Sequence, residues 1–84
     1  MKYKLIFSTE VEMQLKKLDN ELVKRILYKI VEASEDPKHF FKRLKGREDY
    51  KLKIGDFRII AKITHNEKNI FLISLGHRKN IYKK

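Results

Sequence analysis

The chain has 84 residues, with 21 Lys and Arg against 11 Asp and Glu, for a formal net charge of +10. That length fits one small domain, 1–84, and the charge favours nucleic acid or an acidic partner over an ordinary metabolite. There is no cysteine, which excludes disulfides, zinc–thiolate sites and cysteine nucleophiles; no apolar run reaches a membrane-spanning length, no signal-peptide pattern is read, and the expected location is the cytoplasm.

Residues 2–7, Lys-Tyr-Lys-Leu-Ile-Phe, read as a first strand. Thr9 and Glu12 match a capping box and predict a helix start. Val11, Leu15 and Leu18 then line one apolar stripe. Asp19-Asn20 interrupts it and can cap a second helix, whose Leu22, Val23, Ile26, Leu27, Ile30 and Val31 follow a 3.6-residue period. Asp36-Pro37 ends that helix. Two helices with so short a joint form an αα-hairpin. The stretch 37–49 reads as basic and irregular. Strands are expected at about 50–54, 57–64 and 70–76, the last two joined by a turn from His65 to Asn69. The predicted fold class is α+β: an N-terminal strand, an αα-hairpin and a three-stranded antiparallel meander, with helices covering one face of the sheet.

Gly55-Asp56 between two strictly alternating runs is the signature of a two-residue hairpin. In that register Ile54 faces Phe57, Lys53 faces Arg58 and Leu52 faces Ile59. Parity then assigns Leu52, Ile54, Phe57, Ile59, Ala61 and Ile63 to the face under the helices, and Lys51, Lys53, Arg58, Ile60 and Lys62 to the other. If Thr64 pairs with Ile70, Arg58 faces Gly76, whose missing side chain leaves room beside it, and Arg78 lies two residues further on the same face.

Lys53 and Arg58 are thus like charges directly across from each other, which is destabilising. A local rule broken without visible compensation marks a candidate functional site, and a polymeric anion is the natural relief. The blander reading is a solvated strand face. It suits Lys62, and it suits Lys51 and Lys53 taken alone better than it suits the convergence of Arg58 and Arg78. Tyr82 either stacks on a base or packs against the sheet. His77 can move protons near neutral pH, although a histidine at a strand end is more often a hydrogen-bonding residue. His39 and His65 are read as loop residues, and Phe40 and Phe41 as core or partner contacts.

No phosphate-binding glycine loop, carboxylate pair or nucleophile elbow is present, and neither a metal nor a cofactor is expected. Cations with a tyrosine and a histidine suit one reaction well, cleavage of RNA by its own 2′-hydroxyl. The substrate brings the nucleophile. The protein orients the phosphate, moves two protons and neutralises the transition state. Clustered cations lower one another's pKa, so a lysine among them can act as base.

Nearly the whole chain resembles RelE-type toxins of the RelE/ParE toxin–antitoxin superfamily. The resemblance runs through Leu44-Lys45-Gly46, Tyr50-Lys51-Leu52-Lys53, Phe57-Arg58-Ile59-Ile60 and Ile73-Ser74-Leu75-Gly76-His77-Arg78-Lys79-Asn80-Ile81-Tyr82. It implies a metal-independent endoribonuclease that cleaves mRNA in the ribosomal A site and inhibits translation. It implies Lys51 and Lys53 as base and phosphate-binding cations, Arg58 as transition-state stabiliser, Arg78 as phosphate clamp or acid, and Tyr82 as the nucleotide-stacking residue. His77, Lys79 and Lys45 are the further RNA-binding candidates. Two departures from the best-studied RelE branch are the short spacing from Gly76 to Tyr82 and the histidine at position 77. The implied partners are a RelB-type antitoxin, in a heterotetramer, and the ribosome with its mRNA; no membrane is involved. Two other readings stand beside this one. ParE-type members share the fold and the glycine–histidine–arginine ending but poison DNA gyrase, and a non-catalytic antitoxin- or ribosome-binding domain is the third.

Overall fold

The structure, a computed structural model, describes residues 2–81. Its elements in chain order are β1 (Lys4–Phe7), α1 (Thr9–Lys16), α2 (Asn20–Glu35), the single turn α3 (Pro37–Phe40), β2 (Lys42–Arg43), β3 (Tyr50–Ile54), β4 (Phe57–Thr64) and β5 (Asn69–His77). The expected α+β class is present. The strands form one sheet in the order β1-β5-β4-β3-β2, in which β3, β4 and β5 are the predicted meander. Two features extend the expectation. β1 lies parallel to β5 at one edge, and β2, inside the stretch read as irregular, adds a fifth strand at the other.

The helix starts follow from side-chain caps. Ser8, not Thr9, caps α1: its hydroxyl oxygen accepts the Val11 N–H at 3.1 Å. The same hydroxyl donates to the Ile73 carbonyl at 2.8 Å, so this residue joins the helix start to the sheet. Asp19 caps α2 as expected, its carboxylate accepting the Leu22 N–H at 2.9 Å. Each cap satisfies one of the donors that the first helical turn leaves unpaired.

The parity assignment holds. Ile26, Ile30 and Ala33 of α2 and Val11 of α1 share one buried cluster with Leu52, Ile54, Ile59, Ala61, Ile70, Leu72 and Leu75, and Ile63 and Phe57 pack against it half-buried. Fully burying an Ile or Leu is worth about 1.5–3 kcal/mol, so this face is what holds the helices to the sheet. Among the described residues, the helix residues of this cluster meet only that face; on the opposite face Ile60 is buried at 6% exposure, while Lys53 and Lys62 are exposed.

At Gly55-Asp56 the hairpin pairs Ile54 with Phe57, Lys53 with Arg58 and Leu52 with Ile59. Gly55 has φ +56 and Asp56 a negative φ, the pattern of a type II′ turn with glycine first. The second turn is one residue shorter than expected. Thr64 pairs with Asn69 rather than Ile70, and Lys68 takes a left-handed φ of 55. Even so, Arg58 still faces Gly76. The register shifts between Ile60, opposite Ser74, and Ala61, opposite Leu72, which leaves Ile73 as the extra residue of a β-bulge. The bulge restores the pairing that the shorter turn would have moved by one, and the carbonyl of its extra residue is the one bonded by Ser8.

Candidate functional site

Lys53 on β3 and Arg58 on β4 are directly opposed on the uncovered face. Lys53 is exposed and Arg58 half-buried. The Arg58 Nη1 donates to the carbonyls of Gly55 and Phe57, each at 2.8 Å. The guanidinium is therefore folded back along its own turn rather than left to swing in water. Nη1 serves these carbonyls, and among the described residues no partner engages the Arg58 Nη2 or Nε donors.

β5 ends at His77, yet the Arg78 N–H donates to the Asp56 carbonyl at 2.8 Å, which continues the β4–β5 register by one more rung. The Arg78 Nε lies 3.5 Å from the Asp56 carboxylate. Asp56 thus brings a third cation to the turn end of the hairpin, where Lys53 and Arg58 already sit. The expected register is present, with Arg58 opposite Gly76 and Arg78 two residues further along β5, and Arg78 is tied there by a residue that reads in sequence as turn chemistry alone.

Gly76 is not an open space. A Cβ built on it would lie 3.2 Å from Ile81 Cδ1. Since Gly76 faces Arg58 and cross-strand partners share a face, Ile81, only 8% exposed, fills the room expected beside Arg58. His77 stabilises the turn that carries Ile81 there. Its carbonyl accepts the N–H groups of Asn80 at 2.8 Å and Ile81 at 3.0 Å, and its Nδ1 accepts the Lys79 N–H at 3.2 Å. In that arrangement the neutral imidazole carries its proton on Nε2. The ring stands edge-on to Phe57, with centroids 5.9 Å apart, on the helix-side parity. Lys79 is exposed in the same turn. Tyr82 lies outside the described residues.

Lys51 occupies the same face two residues from Lys53. It is opposite Ile60 on one side and Lys42 on the other. Lys42 was missed in sequence, because a two-residue strand has no periodicity to read. Lys45 is exposed in the β2–β3 loop, at the other end of β3 from the Gly55-Asp56 turn, so the fold separates it from Arg58 and Arg78. Among the described residues, no group of three metal-ligating residues exists and no helix is long and apolar enough to cross a membrane.

This fold is that of a RelE/ParE superfamily toxin. A family profile described as the ParE toxin of type II toxin–antitoxin system, parDE, matches residues 5–82. A Methanocaldococcus jannaschii protein assigned as toxin RelE4 is 29% identical over 77 residues, covering 89% of this chain and 82% of that protein. Among solved structures, the toxin–antitoxin complex RelBE2 of Mycobacterium tuberculosis shares the fold with a TM-score of 0.83 at 18% identity, over 93% of this chain and 100% of that one. The intact E. coli RelBE toxin–antitoxin complex superposes with a TM-score of 0.75 at 25% identity, over 89% and 95% of the two chains. The chain belongs to the ParE toxin family within the RelE/ParE superfamily, and is the toxin component of a type II toxin–antitoxin system.

Proposed function

We propose that this toxin is a ribosome-dependent mRNA endoribonuclease that uses the substrate's 2′-hydroxyl as nucleophile and needs no metal. The observation that carries the reading is the opposed Lys53–Arg58 pair on the uncovered sheet face, with Arg78 held beside it by Asp56. Three cations in one place suit a phosphodiester whose transition state gains a negative charge. Arg58, braced by two carbonyls, would take a non-bridging oxygen through its Nη2 and Nε donors. Arg78 clamps the phosphate or stabilises the leaving group. Lys51 or Lys53 takes the 2′-hydroxyl proton. Attack of that oxygen on phosphorus expels the 5′-oxygen of the next nucleotide, which takes up a proton, and leaves a 2′,3′-cyclic phosphate and a 5′-hydroxyl. Tyr82 would stack on the nucleotide, with Lys79, Lys45 and His77 as further RNA contacts.

We further propose a RelB-type antitoxin as partner. Similar toxins were solved as RelB–RelE complexes, and an acidic segment complements a chain of +10 charge. The heterotetramer and the cytoplasmic location belong to the same reading.

Gyrase poisoning is the second reading, and a specific observation favours it: the matching profile is that of ParE toxins. A translating extract probed for cleaved mRNA, beside a gyrase supercoiling assay, separates the two.

A further inference from the structure

The uncovered face holds a second like-charged pair, of which the ribonuclease reading calls on Lys51 and leaves Lys42 without a role. Lys42 of β2 lies directly opposite Lys51 of β3, as Lys53 lies opposite Arg58. Beyond it the β2–β3 loop adds Lys45 and Arg47. Among the described residues, neither Lys42 nor Lys45 has a carboxylate within ion-pair distance, Asp49 being paired with Arg47 at 2.6 Å and Glu48, on the rim of the same loop, with neither lysine. The loop is nevertheless built. The Leu44 N–H donates to the Asp49 carbonyl at 2.9 Å, the Arg47 N–H to the Leu44 carbonyl at 3.1 Å, and the Arg43 Nε to the Arg47 carbonyl at 3.4 Å. These bonds frame an open groove of about 560 Å³ lined by residues 43–48.

Opposed like charges in a short edge strand destabilise the pairing that forms it. A protein that only needed solubility could spread its lysines over the helices. Two such pairs in consecutive positions of one face form a track. The pairs are two residues apart along β3, or about 7 Å at roughly 3.3–3.4 Å per residue. That is comparable to a single phosphate-to-phosphate step along an extended single strand, so neighbouring pairs can meet neighbouring phosphates of a tracked backbone.

We infer that Lys42 and Lys45, with Lys51, form a phosphate-anchoring site for the RNA strand that leaves the cleavage position toward the β2–β3 loop. This rests on the ribonuclease reading and assigns a second role on the same face. The anchor binds backbone, so it adds affinity without sequence preference.

The test measures binding of a single-stranded RNA decamer, 2′-O-methylated so that it cannot be cleaved, as a function of salt. Each phosphate contact adds about 0.7 to the slope of log affinity against log salt for a single strand. Lys42→Gln/Lys45→Gln should therefore reduce the slope by about 1.4. The charge-matched variant Lys16→Gln/Lys24→Gln, which alters exposed positions on α1 and α2, should leave it unchanged, and Lys42→Arg/Lys45→Arg should retain the wild-type slope. An unchanged slope in the Lys42/Lys45 variant, or an equal fall in the helix control, overturns the anchor. Cleavage by the wild type in a translating extract is scored separately. Cleavage with an unchanged slope in the Lys42/Lys45 variant removes the anchor alone. Absence of both cleavage and decamer binding removes the ribonuclease reading and the anchor together.

Discussion

Asp56 holds Arg78 at two points: its carbonyl accepts the Arg78 N–H at 2.8 Å, and its carboxylate lies 3.5 Å from the Arg78 Nε. The backbone bond fixes where the chain leaves β5. The ion pair aims the side chain. Both groups are exposed, at 55% and 70%, so the pair is worth at most about 1 kcal/mol to stability. Asp56→Asn should leave the melting temperature nearly unchanged, because the carbonyl bond survives. It should weaken toxicity less than Arg78→Ala does, since the clamp loses aim but keeps its charge. Thermal melts beside growth inhibition on induction check both halves.

Arg58 and Arg78 should differ in their structural cost. Loss of a transition-state donor costs about 100- to 1000-fold in rate, and Arg58→Ala and Arg78→Ala should each abolish toxicity. Arg78→Ala should be thermally silent. Arg58→Ala also removes two hydrogen bonds to the hairpin carbonyls, each worth about 0.5–1.5 kcal/mol, but relieves the opposed Lys53 charge, and should lower stability by about 1 kcal/mol in urea titration. Arg58→Lys should restore little activity, because the planar fork is lost.

The seat of Ile81 on Gly76 can be tested by size. In Gly76→Ala the new methyl meets the flexible end of Ile81 at 3.2 Å, and a small shift of that end relieves it. Gly76→Val leaves no such room and should displace Ile81 together with the turn that bears Arg78 and Lys79. Toxicity should fall sharply in Gly76→Val and recover in part in Gly76→Val/Ile81→Ala. Failure of the second change to restore any activity would argue against Ile81 as the obstructed group.

The start of α1 separates Ser8 from Thr9. Ser8→Ala loses a cap and a bond to the bulge carbonyl and should cost about 1–2 kcal/mol. Thr9→Ala, at an exposed first helical position, should stay within about 0.5 kcal/mol. Equilibrium unfolding of the two variants gives the comparison.

Much of this arrangement is legible in sequence, for physical reasons that can be named. The Gly55-Asp56 hairpin and its cross-strand pairs follow from strict alternation around a turn dipeptide, because the side-chain period of a strand is two. The helices follow from the stripe Leu22 to Val31. Three features do not follow. β2 is two residues long and forms because Tyr50 and Lys51 offer it an edge, not because Lys42-Arg43 prefers a strand. The Ile73 bulge cannot be read where Ile70 to Leu75 is nearly all apolar, so Arg58 and Gly76 face each other through two compensating one-residue shifts. The cap falls on Ser8 because its hydroxyl also reaches Ile73, a contact 65 residues away in sequence. At the site, the cations announce themselves by type and spacing, whereas Asp56 and Ile81 position them through contacts that exist only once the chain is folded.

The most direct test of the central claim is the chemistry of mRNA ends in a translating extract given purified toxin. The account predicts new 5′-hydroxyl ends paired with 2′,3′-cyclic phosphate or 3′-phosphate ends, formed with wild type and not with Arg58→Ala/Arg78→Ala. Intact mRNA in that extract, with inhibition of gyrase supercoiling by the same preparation, would contradict it.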